Sequence, residues 1–199
     1  MHAHNSESGL YTYVDIHAHA NKMGCFMFGN SLEGEQQLKN MLFPRLIALN
    51  CLNFDFVECS FSEKMMNVKD KADGLSREGS GRVAIYKATN NPLCYTLECN
   101  YATGRRINHL PAKFNTSTGE TENEVPITDS HSKMYAGAKA PPYTAEIFED
   151  VGRAFCIGLL DNIENNPVSR IPLSSYKTLD GIKNDILSHN RIIMPKPVV

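Results

Sequence analysis

A chain of 199 residues with a formal net charge of −2 and 42% hydrophobic residues can bury one sizeable core and has the apolar share of an ordinary globular protein. Its 20 Lys and Arg are scattered rather than massed, which argues against a phosphate-tracking surface and against nucleic acid as a partner. No stretch approaches the ~20 consecutive apolar residues of a spanning helix, and the first residues form neither a basic n-region nor an apolar h-region, so a protein neither membrane-bound nor secreted is expected.

Residues 1–9 are small and polar and read as a loose arm. Tyr and Val over 10–16 then favour a strand, and 18–24 turn away from it. Over 35–50 the apolar residues Leu38, Met41, Leu42, Leu46 and Leu49 recur at helical spacing, with Pro44 expected to kink the helix or to mark a late helix start. Phe54-Asp55-Phe56 reads as a short strand, and the charged, glycine-bearing stretch 67–81 as a surface loop.

Val83, Ile85 and Tyr86 suggest a strand over 82–88 that turns at Asn90-Asn91-Pro92 and returns as a second strand over 93–98, making a hairpin. The Thr, Ser, Asn, Gly and Pro of 108–142 lack periodicity and read as a flexible insertion. A helix is predicted over 143–165, with Thr144 able to cap it, Glu146 in its first turn, and Ile147, Val151, Ala154, Phe155, Gly158 and Leu159 on one stripe. A shorter helix over 178–189 follows. The six cysteines, Cys25, Cys51, Cys59, Cys94, Cys99 and Cys156, lie in apolar runs without a CxxC pair. They read as buried thiols of a reducing compartment rather than a disulfide framework.

Two of these runs carry chemistry. Tyr95-Thr96-Leu97-Glu98 ends a β-prone run on one carboxylate, and Tyr13-Val14-Asp15-Ile16-His17-Ala18-His19 ends another on imidazoles. A strand end can deliver a base or a metal ligand to a cleft. Polar residues also close strands where a chain turns into solvent, so either run alone leaves both readings open. If the two strands are neighbours, Glu98 and His17 face one pocket.

Read together, the block 15–30 opening on Asp15-Ile16-His17-Ala18-His19, the block 79–88 opening on Gly79-Ser80-Gly81-Arg82, and Tyr95-Thr96-Leu97-Glu98-Cys99-Asn100 closely resemble the cytosolic carboxypeptidase family. This is the branch of zinc carboxypeptidases that trims glutamates from polyglutamylated tubulin. The resemblance runs in order over roughly 10–171. It implies an α/β fold, a mixed twisted sheet with flanking helices.

The resemblance makes His17 a zinc ligand and Glu98 the carboxylate that takes a proton from the zinc-bound water and passes it to the leaving amine. It places Tyr86 where relatives keep a tyrosine against the substrate. Arg82 could pair with an acidic tail, although an arginine beside a glycine loop is more often structural. His19 and Asp15 share the face of His17 and could orient its ring. The implied partners are polyglutamylated tubulin and similar glutamylated tails in the cytosol.

The family's other two zinc ligands come from an upstream His-x-x-Glu. His4-Asn5-Ser6-Glu7 has that spacing but not the sequence that should follow it. The expectation is therefore a catalytic domain truncated on its N-terminal side, with residues 10–171 as its later part and 172–199 as a C-terminal extension. The alternative is a catalytically inactive fragment or binding module of the same family, lacking two zinc ligands.

Overall fold

The computed structural model describes residues 9–67, 80–122, 142–190 and 192. The surface loop expected over 67–81 therefore falls almost wholly outside the described residues, as do most of the N-terminal arm and the middle of the predicted insertion. The described elements are β1 (Tyr13–His19), β2 (Cys25–Phe28), α1 (Gly34–Asn50), α2 (Glu63–Asn67), α3 (Gly81–Thr89), β3 (Cys94–Asn100), β4 (Lys113–Asn115), β5 (Thr121–Glu122), α4 (Ala145–Asn162), β6 (Val168–Ser169) and α5 (Leu179–Asn190). The fold is mixed α/β, as expected, with two small sheets.

The main sheet has the order β1-β3-β2. β1 runs parallel to β3 with His17 opposite Glu98, and β2 runs antiparallel to β3 with Phe26 opposite Glu98. Alternation along each strand then sorts the side chains. Cys25, Met27, Tyr95 and Leu97 face a core shared with Phe43 and Ile47 of α1 and Val151 and Ala154 of α4. Asp15, His17, His19, Thr96 and Glu98 alternate with these and face the other way. α3 covers the near end of that second face so closely that a Cβ at Gly81 would lie 2.1 Å from the Tyr13 hydroxyl.

Pro44 does not end α1, which continues to Asn50. A proline at this position leaves the carbonyl of Asn40 without its helical amide. The buried Tyr95 hydroxyl replaces that donor, 2.9 Å from the Asn40 oxygen. α1 and α4 meet at Gly158, where a Cβ would come within 3.2 Å of Ile47 and 3.4 Å of the Phe43 ring. A second cluster joins Leu38, Leu42 and Leu46 of α1 to Ile171, Ile182 and Ile186, so α5 packs on the same helix.

Several local expectations are corrected. Residues 82–88 form helix rather than strand: the Ser80 carbonyl accepts the amides of Val83 and Ala84, and Asn90 at φ 55° closes the helix in the left-handed region. Val83 and Tyr86 also satisfy a helical period, so the alternation was not diagnostic. With α3 in that place the hairpin disappears, and β3 pairs instead with β1 and β2.

Phe54 makes a single bridge to Cys25, and Phe56–Glu58 is a turn of 3-10 helix, not a strand. Thr144 occupies the N-cap position without a side-chain cap bond to the backbone. Part of the predicted insertion is ordered, because β4 pairs with both β5 and β6. Its first residue, Asn108, donates to the carbonyls of Cys51 and Phe54 at 2.8 and 2.7 Å and so ties off the end of α1. All six cysteines are free thiols, but Cys156 is exposed and Cys59 and Cys99 are only half-buried.

Candidate active site

The carboxyl ends of parallel β1 and β3 lie side by side, and the second face of the sheet opens there into a cavity of about 500 Å³. Asp15, His17, His19, Arg82 and Glu98 line it together with Lys22, Phe28, Ser60, Ser80 and Thr96. Open α/β sheets form their sites at strand carboxyl ends. The candidate residues thus converge here, except Tyr86. Its hydroxyl donates to Gln36 on α1 at 3.1 Å, and the residue does not line the cavity.

His17 and Asp15 stand two residues apart on one face, and the His17 Nε2 lies 2.9 Å from an Asp15 oxygen. The carboxylate fixes which ring nitrogen carries a proton and how the ring is turned. His19 serves the chain turn: its Nδ1 accepts the Lys22 amide at 2.9 Å and the Asn21 amide at 3.3 Å, and its ring packs on Phe26 with 5.6 Å between centroids. Nδ1 of His19 is therefore an acceptor already in use.

Glu98 is only 8% exposed and Arg82 only 4%. Arg82 Nη1 donates to the Thr96 hydroxyl at 3.3 Å, and its guanidinium lies 5.8 Å from the Phe28 ring centre. A carboxylate and a guanidinium this deep have little water to screen them, so a charged ligand entering the cavity meets strong local fields. The cavity holds both signs, with Lys22 and Arg82 against Asp15 and Glu98.

Sequence reasoning missed Lys22, Thr96 and Asn100. Thr96 was findable, being two residues before Glu98 and so on the same face. Asn100 organises the rim: its amide nitrogen donates to the carbonyls of His19 and Lys22, and its side-chain oxygen accepts the amides of Ala102 and Thr103. Lys22 lies 4.7 Å from the Phe26 ring centre and pairs with Glu58 at 2.8 Å. Glu58 also meets Arg105 at 2.7 Å, and Arg105 reaches the buried Asp55 at 3.0 Å.

Lys22 first, then Arg105, holds the Glu58 carboxyl below its ordinary value. A carboxyl depressed in the folded chain contributes stability that is present above the unfolded value and lost as pH falls through the folded one. Urea unfolding is expected to show a loss of roughly 1 kcal/mol or less from this group between pH 6 and 3. Glu58→Gln should flatten that part of the profile, and an unchanged profile would remove Glu58 as its source.

Among the described residues, no group of three or more His, Cys, Asp or Glu side chains could hold a metal ion. A catalytic zinc takes three protein ligands. His17 with Asp15 falls short of that, so the described residues by themselves do not fit a resident zinc.

No protein-family model matches the chain. Among curated proteins it is similar to cytosolic carboxypeptidase-like protein 5 from Danio rerio, 47% identical over 186 residues. It is 48% identical over 191 residues to the protein of that name from Homo sapiens. Each match covers 93% of this chain and 20% of the relative. Human cytosolic carboxypeptidase 6 is 26% identical over 164 residues, covering 81% of the chain and 25% of that protein. The chain thus spans about a fifth of the length of the curated relatives it matches most extensively. No helix among the described residues is long and apolar enough to cross a membrane.

Proposed function

Over the segment it shares with these relatives the chain belongs to the cytosolic carboxypeptidase family, and on that footing we propose that it carries one part of a deglutamylase site. The reaction is hydrolysis of C-terminal or branch-point glutamates on polyglutamylated tubulin and similar acidic tails in the cytosol. The observation that carries this reading is the juxtaposition of His17 and Glu98 as register partners lining one cavity with Arg82.

Glu98 is the proton carrier: it takes a proton from the attacking water and returns it to the departing amine. Burial beside Phe26 keeps that carboxylate from being merely a solvated surface charge. Asp15 holds the His17 imidazole toward the reacting centre. Arg82, and Lys22 at the rim, are the cations lining the cavity that an acidic tail would enter. Tyr86, turned to Gln36, is left out of substrate contact.

The short donor set favours a second reading for the chain in isolation. A binding module would grip acidic tails through the same cations without turning them over. Free glutamate released from a polyglutamylated peptide, with zinc supplied, is the deciding readout for the parent and Glu98→Gln. Any release given by the parent is expected to fall to the protein-free background in Glu98→Gln while peptide binding persists. Equal release by both would refute the role of Glu98, and binding without release by either would establish the module.

A further inference from the structure

Cys25 and Cys99 sit directly opposite each other on β2 and β3. The Asn100 amide donates to the Gly24 carbonyl at 3.0 Å, while the Cys25 carbonyl turns outward to accept the Asp55 amide at 2.7 Å. These bonds make Cys25 and Cys99 a non-hydrogen-bonded antiparallel pair, the kind whose α-carbons approach to about 4.5 Å and whose side chains lie closest. That spacing is at the short end of the range a disulfide spans. Both side chains leave the sheet on the helix-facing side, among the core residues of α1 and α4.

The two thiols differ in access. Cys25 is fully buried. Cys99 is half-buried and lines an apolar groove of about 390 Å³ with Ile16, Tyr101 and Phe148. We propose that Cys25 and Cys99 are an oxidisable dithiol that a small hydroperoxide converts to a cross-strand disulfide on the reverse side of the sheet from Glu98.

The steps balance. The Cys99 sulfur attacks one oxygen of the hydroperoxide, the O–O bond breaks, and the other oxygen leaves as alcohol or water with the thiol proton, giving a sulfenic acid. The Cys25 sulfur then attacks the Cys99 sulfur, the S–S bond forms, the S–O bond breaks, and hydroxide departs as water with the Cys25 proton. Two thiols give two electrons to one peroxide. Cys99, which reaches the groove, is the attacker and the fully buried Cys25 the resolver, and the interaction of the two side chains works the same way, pulling the Cys99 thiol down and pushing the Cys25 thiol up.

The remaining cysteines are engaged elsewhere. Cys51 donates to Asp150 at 3.3 Å, Cys94 to the Asn91 carbonyl at 3.2 Å, and Cys59 accepts the Met27 amide at 3.2 Å. Cys156 is exposed on α4.

The test treats the folded chain with hydrogen peroxide, blocks free thiols, and maps non-reduced peptides by mass spectrometry. A linked pair of peptides carrying Cys25 and Cys99, lighter by two hydrogens and abolished by reductant, is expected as the main intramolecular product. In Cys25→Ser, Cys99 should stop at a sulfenic acid that dimedone traps. Oxidation of Cys99 in the parent without linkage to Cys25, or linkage no more abundant than that of other cysteine pairs, would overturn the proposal. The parent measurement decides even where a variant fails to fold.

Discussion

Phe43→Ala is expected to destabilise the fold by about 3–5 kcal/mol, a large share of the ~5–15 kcal/mol that holds an ordinary domain together. Phe43 is fully buried where α1, α4 and the sheet converge. Its ring centre lies 5.7 Å from that of Tyr95 and 5.2 Å from that of Phe155. The close approach at Gly158 leaves little room for neighbours to collapse into the space vacated. Leu160 on the same α4 is 41% exposed and supplies the control, because Leu160→Ala should move stability by no more than ~0.5 kcal/mol. Urea unfolding of both variants checks the contrast. Comparable losses would mean that the core does not centre on Phe43.

Tyr95→Phe should cost about 1–3 kcal/mol, from one missing hydroxyl. The size of the loss traces to Pro44. Because a proline has no amide hydrogen, the Asn40 carbonyl one turn earlier depends on the Tyr95 hydroxyl, and both lie in the interior. Pro44→Ala restores a helical donor to that carbonyl. The penalty of Tyr95→Phe should therefore shrink when Pro44→Ala is present, giving a coupling that a double-mutant cycle reads directly. Strict additivity of the two changes would contradict the assignment.

This interplay marks the limit of what was legible in the chain. The periodic residues of α1, α4 and α5 announced those helices, and the β-prone runs of β1 and β3 announced those strands. Pro44 left a late helix start open because nothing local reveals that a tyrosine fifty-one positions later will satisfy the freed Asn40 carbonyl. β2 was invisible for a related reason: Cys25-Phe26-Met27-Phe28 is buried throughout, and a short continuous apolar run shows no alternation to read. α3 was misread because Val83, Ile85 and Tyr86 fit two periods, and the signals that decide, Ser80 at its start and left-handed Asn90 at its end, are weak in a sequence.

The site divides the same way. The period-two placement of Asp15, His17 and His19 follows from the strand alone, and so does that of Thr96 and Glu98. That His17 stands opposite Glu98 depends on β1 pairing in parallel with β3 across more than seventy intervening residues, which no local pattern encodes. The turn-holding role of His19 and the rim bonds of Asn100 likewise emerge only once the strand ends are brought together.

Metal content is the direct test of the proposal that this chain carries only part of a deglutamylase site. The purified chain is equilibrated with zinc, dialysed exhaustively against metal-free buffer, and its zinc measured against protein. Well under one zinc should be retained per chain. One tightly held zinc per chain, lost in His17→Ala, would contradict it.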